Sequence, residues 1–442
     1  MSCFVVEGKK QLSGSIRVSG NKNEALPVIA ASLLCNKPVH LSNVPDIGDV
    51  RNMLDIAQAI GAKVSPLKNE SVIIEAPTIK TSCLPLELSA SIRGSILFAS
   101  SLLVRTGKAI LPQPGGDTIG RRRIDTHFLV FTALGARLIT SREQLGETEQ
   151  LTYILEAPDG LKGGEIYLDE ASVTATENAL IAAAGANGKT VIANAASEPH
   201  VQGLCRLLQS MGVTIEGVGS NLLTIYGTQR FASTNHRLGC DYIEAGSFIG
   251  MAAATRSDIT ITDVDPAVMR MILFQFERLG IKTEHDSTTH SIHVPAKQSL
   301  TVRKDLGGAI PRIEDSPWPG FPADLTSIML VTATQCHGTC LIHEKMFESR
   351  LFFVDKLINM GAQIVLCDPH RAVVVGATAL YANTITSPDI RAGMALLIAA
   401  LAAEGKSTIH NIAQIDRGYS AIDKRLRTLG AVISRQPSSE RK

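Results

Sequence analysis

The segment DVRNMLDIAQAIGAKV (residues 49–64) joins a helix-like stretch to a strand-like stretch through a single glycine. Its apolar residues recur every three or four positions, which predicts a helix with one buried face. Gly61 stands where the end of a helix commonly needs a left-handed residue. The same hydrophobic–Gly–hydrophobic junction occurs at Gly61, Gly135, Gly212, Gly280, Gly361 and Gly430. The successive separations of 74, 77, 68, 81 and 69 residues indicate a sixfold internal repeat.

A second element recurs in step with these junctions. It is a helix that is apolar nearly all round and is therefore predicted to be buried. Its six copies are EALPVIAASLL, RGSILFASSLL, TENALIAAAGA, EAGSFIGMAAA, DLTSIMLVTAT and RAGMALLIAALAA. Each copy is followed by a polar turn and a strand-like stretch such as GKTVIAN. Each repeat is thus predicted to run strand, buried helix, strand, amphipathic helix, strand, strand, in an α/β (α+β) fold with three repeats per domain.

The domain limits follow from a break in composition. The segment GTQRFASTNHRLG (residues 227–239) is polar, lacks hydrophobic periodicity and follows the third repeat. We therefore interpret it as a linker between two domains. One domain is expected to span residues 22–239, and the other residues 1–21 together with 240–442.

Composition and charge limit the classes of function. Of the 442 residues, 45% are hydrophobic but only 4% are aromatic, so Leu, Ile, Val and Ala must fill the core. The formal net charge of +1 argues against binding to nucleic acid or to a membrane surface. The opening MSCFVVEGKKQLSG has no secretory-signal pattern, and the longest apolar run, 394–403, is about half a membrane span. We expect a cytoplasmic protein with dispersed, reduced cysteines.

Lys22 and Asn23 lie in SGNKNEALP, directly before the first buried helix. Backbone N–H groups and the helix dipole at such a position favour an anion, so Lys22 is a candidate for binding one. A solvated lysine in a turn is the alternative interpretation.

The segment QPGGDTIGRRRIDTH carries one carboxylate, Asp117, after two glycines, and then three consecutive arginines at 121–123. Arginines of this kind suit the recognition of phosphate or carboxylate through paired hydrogen bonds. A solvated basic turn is the alternative for any single one of them.

Asp324 follows a proline-rich turn in WPGFPADLTS and is expected either to cap the next helix or to serve as a general base. Isolated arginines also occur at the starts of apolar helices in several repeats, where burying an arginine without a partner is costly. They are Arg93, Arg350, Arg391 and Arg417. Their recurrence favours a small polyanionic ligand. No metal-ligand cluster or nucleotide-binding glycine motif occurs in the sequence, so neither a metal nor a cofactor is expected.

With these residues in view, the sequence resembles the enolpyruvyl transferases, and among them those that use UDP-N-acetylglucosamine. The most specific segments are SGNKNEALP, PGGDTIGRRRIDTH, SVTATEN, FPADL, FESR and IDRGY. The resemblance covers essentially the whole chain. It implies a two-domain inverted α/β barrel of six βαβαββ-type repeats, three per domain, with the active site in the interdomain cleft. It also implies enolpyruvyl transfer in peptidoglycan synthesis, with phosphoenolpyruvate and UDP-N-acetylglucosamine as the small-molecule partners and no cofactor.

The resemblance assigns roles at the phosphoenolpyruvate site. It implies that Lys22, Arg122 and Arg417 hold the phosphate, with Lys22 and Arg417 also counted as catalytic. Arg350 and Arg391 then hold the carboxylate. Asp324 becomes the general base beside the sugar 3-hydroxyl, and Asp117 occupies the position of a catalytic cysteine.

The resemblance also implies a set of contacts to the sugar nucleotide. These residues are Asn23, Arg93, Arg122, Arg123, Ile124, Asp125, Thr126, Ser172, Val173, Asp324 and Met346. The sequence departs from the family pattern at Asp117 for Cys, Glu170 for Lys, Arg123 for Pro and Thr174 for Gly. Because the family's inhibitor fosfomycin alkylates that cysteine, Asp117 predicts insensitivity to it.

Three alternatives stay open at this point. The chain could be a paralogue that acts on another UDP-sugar or hydroxyl acceptor, or a non-catalytic binding protein of the same fold. A shikimate-phosphate enolpyruvyl transferase is disfavoured, because NKNEALP continues with Glu24 and Ala25 where that relative has Ser and Arg. We expect a monomer or a weak oligomer.

Overall fold

The computed structural model describes residues 2–116, 119–120, 123–145 and 148–437. The chain divides into two compact units. Unit 1 contains residues 1–19, 118–121 and 240–442, and unit 2 contains residues 20–117 and 122–239. No helix within the described ranges has both the length and the apolar character needed to cross a membrane.

Unit 2 is built from short helices and strands that alternate along the chain. Its helices are Lys22–Ser32, Gly48–Ala59, Leu86–Ser91, Arg93–Leu97 (a 3-10 helix), Phe98–Thr106, Asp125–Ala133, Val173–Gly185 and Pro199–Ser210. Its strands are Val39–Ser42, Lys63–Val64, Ser71–Glu75, Lys108–Pro112, Arg137–Leu145, Thr148–Glu156, Glu165–Tyr167, Lys189–Ala193, Thr214–Glu216, Leu222–Tyr226 and Thr234–Arg237.

Unit 1 has the same construction. Its α-helices are Tyr242–Ala254, Pro266–Arg278, Thr326–Ala333, Val354–Asn359, Ile390–Ala402, Ala413–Asp416 and Ile422–Thr428. Its 3-10 helices are Leu306–Gly308, Ala323–Leu325 and Arg350–Phe353. Its strands are Ser2–Glu7, Ser13–Arg17, Asp258–Thr262, Glu284–Asp286, Ser291–Val294, Arg312–Glu314, Gly338–His343, Gln363–Asp368, Arg371–Gly376, Thr384–Thr386, Lys406–His410 and Val432–Pro437.

The sheets repeat one pairing order. In the sheet that contains Lys189–Ala193, this strand pairs parallel with Glu165–Tyr167 and antiparallel with Leu222–Tyr226, which pairs antiparallel with Thr214–Glu216. Within the described residues each unit holds three such sheets. In the sheet of Lys108–Pro112 the parallel partner is reduced to a single bridge from Cys83. The sixfold repeat is therefore confirmed as a repeat of structure.

The glycines of the sixfold junction all have positive φ, from 81° at Gly280 to 119° at Gly61. A side chain is strained in this backbone conformation, so glycine ends the amphipathic helix and lets the chain turn into the next strand. The predicted helix endings are confirmed.

The apolar helices form the centres of both units. Every residue of Tyr242–Ala254 and of Ile390–Ala402 is buried, and so are ten of the thirteen residues of Val173–Gly185. Small side chains such as Ala and Gly let these helices pack closely, which explains the scarcity of aromatic residues. The predicted burial of this helix class is confirmed.

Two strands are exchanged relative to the order of the repeats. Ser13–Arg17 precedes the first buried helix, yet it pairs with Asp258–Thr262 in unit 1. Thr234–Arg237 lies in the expected linker, yet it pairs parallel with Val39–Ser42 in unit 2. Backbone hydrogen bonds to a neighbouring strand can thus order a polar segment that lacks hydrophobic periodicity.

Candidate active site

Three of the expected site residues meet in unit 1. The Asp324 carboxylate accepts hydrogen bonds from Arg350 Nη2 (3.1 Å to Oδ1) and from Arg391 Nη2 and Nε (2.9 and 3.1 Å to Oδ2). The side chains of Arg350 and Arg391 are only 3% and 6% exposed, whereas Asp324 is 29% exposed. Two buried cations therefore converge on one carboxylate that solvent still reaches.

Each member of this cluster comes from the start of a short or buried helix. Asp324 lies in the 3-10 helix Ala323–Leu325, and Arg350 opens the 3-10 helix Arg350–Phe353. Arg391 lies in the first turn of Ile390–Ala402, where Asp389 caps the helix by accepting from the Arg391 and Ala392 N–H groups. The three side chains are thus positioned by helix starts, which favours a site that is organised before a ligand binds.

Burial alone would lower the pKa of Arg391, but Asp324, Tyr419 and Asp241 together outweigh burial and raise that pKa. The Arg391 guanidinium also donates to the Tyr419 hydroxyl (3.3 Å) and lies 5.6 Å from the centre of the Tyr419 ring. The same hydroxyl is bonded to Ser247 at 2.9 Å, and burial raises the pKa of Tyr419. Arg391 is therefore a permanent, oriented positive charge.

The alternative role of Asp324 as a helix cap is wrong. The helix Thr326–Ala333 has Leu325 at its N-cap position and no side-chain capping bond, and the 3-10 helix before it has Pro322 at that position. The Asp324 carboxylate turns to the two arginines instead.

A second carboxylate lies behind Arg350. Glu344 is fully buried, and its Oε2 lies 3.5 Å from Arg350 Nε. Its Oε1 accepts from the N–H groups of Phe347 (3.1 Å) and Met346 (3.3 Å). Burial raises the pKa of Glu344 to about 8; nearby Arg350 acts against this rise and Asp315 adds to it.

Unit 2 holds a separate charge pair at the predicted anion-binding lysine. Lys22 Nζ lies 2.8 Å from Asp49 Oδ2, and the two side chains are 9% and 7% exposed. Lys22 is the first residue of the helix Lys22–Ser32, which Asn21 caps by accepting from the Glu24 N–H. Lys22 is therefore held at a helix N-terminus, and the alternative of a solvated turn lysine is wrong.

The residues expected on the nucleotide side form a second group in unit 2. Arg93 Nη2 donates to the Arg123 carbonyl (2.7 Å), and Arg123 pairs with Asp125 (3.2 Å) and Asp169 (3.0 Å). Thr126 donates to Asp169 at 2.7 Å, and this bond is the main cause of the lowered pKa of Asp169. The structure thus brings Arg93, Arg123, Asp125 and Thr126 together.

The other nucleotide-side residues lie at two nearby helix starts. Ile124 directly precedes the helix Asp125–Ala133. Ser172 caps the helix Val173–Gly185, whose first residue is Val173. Thr174, where the family pattern has Gly, is bonded to His127 Nε2 at 3.2 Å, and His127 Nδ1 meets Asn178 at 2.8 Å. Thr174 therefore joins these two helices.

The remaining expected residues that the structure describes are Arg417, Met346 and Asn23. Arg417 donates to Gln414 at 2.8 Å, and Met346 is 40% exposed. Asn23 is half-buried beside Lys22. Asp117 and Arg122 lie outside the described residues, as does part of the 122–126 run.

Sequence reasoning missed several residues of these groups, namely Asp49, Asp169, Glu344 and Tyr419. Asp49 shares the apolar face of its helix with Met53 and Ile56, both fully buried, and a carboxylate there signals a buried cation. Glu344 continues the buried alternation of Cys340 and Ile342 along a strand. Among the described residues no group of three or more His, Cys, Asp and Glu side chains is arranged to hold a metal ion.

Comparison with known proteins identifies the class. Residues 6–426 match the family described as EPSP synthase (3-phosphoshikimate 1-carboxyvinyltransferase). The fold is similar to the enolpyruvyl transferase NikO from Streptomyces tendae (TM-score 0.83, 23% identity, 99% of each chain). It is also similar to an EPSP synthase from Acinetobacter baumannii (TM-score 0.74, 18% identity, 99% of this chain and 100% of that chain). The expected α/β fold class is confirmed.

The curated relatives narrow the class. A protein of Treponema denticola named UDP-N-acetylglucosamine 1-carboxyvinyltransferase is 54% identical over 97% of this chain and 98% of its own length. One with the same name from Bradyrhizobium diazoefficiens is 51% identical over 98% of both. The chain belongs to the EPSP synthase family and, within it, to the family of UDP-N-acetylglucosamine 1-carboxyvinyltransferases. The resemblance stated from the sequence is confirmed.

Proposed function

We propose that the protein transfers the enolpyruvyl group of phosphoenolpyruvate to the 3-hydroxyl of UDP-N-acetylglucosamine and releases phosphate. This is the first committed step of peptidoglycan synthesis. The observation that carries the proposal is the convergence of Arg350 and Arg391 on the partly exposed Asp324. The shared name of relatives about half identical over nearly the whole chain supports the same substrates.

The arginine pair suits the carboxylate of phosphoenolpyruvate. Each guanidinium is planar and always charged, and each presents donors beyond those bonded to Asp324. In the proposal Arg350 and Arg391 hold the carboxylate, while Lys22, Arg122 and Arg417 hold the phosphate. Fixed cations of this kind stabilise charge that develops as the phosphate leaves.

The reaction is an addition followed by an elimination. Asp117 is proposed to protonate the methylene carbon, while Asp324 takes the proton of the sugar hydroxyl as its oxygen attacks C2. The resulting tetrahedral ketal then loses phosphate, and the new methyl group returns a proton, which leaves the enolpyruvyl ether. The exposure of Asp324, at 29%, leaves room for a hydroxyl group to approach it.

The acceptor is proposed to bind through the nucleotide-side group. Arg93, Arg123 and Thr126 are joined by hydrogen bonds directly or through Asp169, which supports a common role. Asn23, Ile124, Asp125, Ser172, Val173 and Met346 complete the proposed set. We also propose that the chain forms the two expected domains, residues 22–239 and residues 1–21 with 240–442, and that the reaction takes place in the cytoplasm, where both charged substrates are soluble.

A phosphate-release assay with phosphoenolpyruvate and UDP-N-acetylglucosamine tests the proposal. Turnover is expected with this acceptor, and parallel assays use shikimate 3-phosphate and other UDP-sugars. Turnover only with one of those acceptors would contradict the proposal.

Fosfomycin provides a second test, directed at residue 117. The wild-type protein is expected to stay active, because a carboxylate is a far weaker nucleophile towards the inhibitor than a thiolate. Asp117→Cys should be inactivated, with a covalent adduct detected by mass spectrometry. An adduct at residue 117 of the wild-type protein is the opposite result.

A further inference from the structure

Arg350 faces Asp324 on one side and two buried acidic residues on the other. Glu344 is 0% exposed and Asp315 is 1% exposed. Glu344 Oε2 and Asp315 Oδ2 are buried, and neither is hydrogen-bonded to another group in the described part of the chain. Arg350 Nε is also buried and without a hydrogen bond in the described part of the chain, and it lies 3.5 Å from Glu344 Oε2. Two buried carboxyl oxygens and the Nε of a proposed substrate-binding arginine are therefore without hydrogen bonds in the described part of the chain.

The backbone holds both carboxyl groups in place. The Glu344 N–H donates to the His370 carbonyl at 2.8 Å, and His370 Nδ1 lies 2.7 Å from the Glu344 carbonyl. The other oxygen of Asp315 accepts from the Lys345 N–H. The two carboxyl groups thus accept from the backbone N–H groups of consecutive residues, Asp315 from Lys345 and Glu344 from Met346 and Phe347. Two negative charges held this close repel each other, which favours a proton on the buried Glu344.

The charged groups around Glu344 define what this proton does. Arg350 and Asp315 face its carboxyl group, Asp324 lies beyond Arg350, and His370 faces its backbone. Lys345 turns to Glu314 (3.5 Å), as does His343 (3.7 Å). Arg350 is thus the cation whose charge Glu344 would neutralise on losing a proton.

We propose that Glu344 keeps a proton beside Asp315, and that this proton keeps Glu344 from neutralising Arg350. Glu344 is then a positioning residue. It orients the Nε edge of Arg350, while the Nη groups remain for the carboxylate of phosphoenolpyruvate. The inference rests on the proposed function for the identity of that ligand. Ionisation of Glu344 weakens the hold on the substrate without touching the reacting atoms.

The kinetic test measures KM for phosphoenolpyruvate and kcat from about pH 6.5 to about pH 9.5. In the wild type KM should rise about fivefold above about pH 8 with little change in kcat, because the raised pKa of Glu344 lies there. Glu344→Gln, which mimics the protonated acid, should keep a low KM throughout. Asp315→Asn, whose amide stabilises an ionised Glu344, should move the rise to lower pH.

The matched control is Glu314→Gln, a neighbouring acid that pairs with Arg312 at the surface and should keep the wild-type profile. An unchanged alkaline rise in Glu344→Gln, or a loss of kcat with the rise intact, overturns the proposal. If Glu344→Gln fails to fold, Asp315→Asn is the deciding variant. A pH profile of KM that does not shift in Asp315→Asn then overturns the proposal.

Infrared difference spectroscopy separates this proposal from the proposed function. Between about pH 7 and about pH 9 the wild type should lose a protonated-carboxyl band that Glu344→Gln lacks. The band without any turnover means that the proposed function fails and the proton on Glu344 stands. Turnover without the band means that the proton on Glu344 fails.

Discussion

Two charge clusters stabilise their buried cations in different ways, one in unit 2 and one in unit 1. In unit 2 one lysine meets one carboxylate, Lys22 with Asp49, and both side chains are less than one-tenth exposed. In unit 1 two arginines, each 6% exposed or less, share the 29% exposed Asp324. The first group of two is neutral, while the second group of three carries one positive charge in excess. This difference leaves the two arginines able to attract a further anion, because their shared carboxylate neutralises only one of their two charges.

The cost of breaking each cluster should differ for the same reason. A buried ion pair that loses one partner leaves an uncompensated charge, which costs about 3–5 kcal/mol. A carboxylate that is partly solvated and keeps a second cation loses far less. The clusters can therefore be compared by their separate effects on activity and on stability.

The largest expected effect is on activity at Asp324. Asp324→Asn keeps the shape of the side chain but removes its ability to accept a proton, so kcat should fall about a thousandfold. Binding of phosphoenolpyruvate, measured by calorimetry, should persist, because Arg350 and Arg391 then lose a competing anion. Unchanged turnover in a correctly folded Asp324→Asn would remove Asp324 as the base and leave unit 1 with a purely binding cluster.

The next effect is on stability at the neutral pair. Asp49→Leu leaves Lys22 buried against an apolar group and should lower the free energy of unfolding of unit 2 by about 3 kcal/mol. Adding Lys22→Met should restore most of that stability, since two apolar side chains of similar volume can replace a buried pair. The double variant should nevertheless lack turnover, because the proposed phosphate ligand is gone.

Denaturant unfolding and the phosphate-release assay check both halves of this expectation. Arg391→Met is the matched change in unit 1, and it should raise KM for phosphoenolpyruvate at least about tenfold with a smaller loss of stability. Equal losses of stability in the two units would show that exposure of the carboxylate does not distinguish them.

The members of the unit 1 cluster could be predicted as site residues from sequence, because each lies at the start of an apolar helix. Arg350, Arg391 and Asp324 are costly in such positions unless they meet one another or a ligand. Their mutual geometry could not be found, since it depends on how three helix starts converge in space. Glu344 was hidden because its role depends on the register of the strand Gly338–His343, which places it on the buried face.

The fold could be predicted from sequence where a local rule is strong. A glycine with positive φ after an amphipathic helix marks the repeat without any knowledge of packing. The pairing of Thr234–Arg237 with Val39–Ser42 could not be predicted, because TNHR is short and polar and is ordered by pairing with a distant strand. Long-range pairing of this kind leaves little trace in local sequence.

The smallest effects concern the repeat-ending glycines, which test whether the two units end their repeats alike. A Cβ atom at Gly135 in unit 2 or at Gly430 in unit 1 would meet nothing within 4 Å, at φ of 93° and 96°. Alanine there should cost about 1–2 kcal/mol, which is the strain of the left-handed backbone alone. At Gly280 a Cβ atom would lie 2.3 Å from the Thr301 carbonyl oxygen, so backbone must move as well.

Gly280→Ala should therefore destabilise unit 1 by about 1–3 kcal/mol more than Gly430→Ala does in the same unit. Unfolding midpoints for the three variants measure this order, and Gly135→Ala against Gly430→Ala compares the units at matched open sites. If these two costs agree, the glycine ending behaves alike in both units. The functional difference between the units then arises from their charged residues. If Gly135→Ala costs much more than Gly430→Ala, packing within unit 2 also restrains its repeat endings. The contrast between the charge clusters would then reflect tighter packing in unit 2 as well as its neutral Lys22–Asp49 pair.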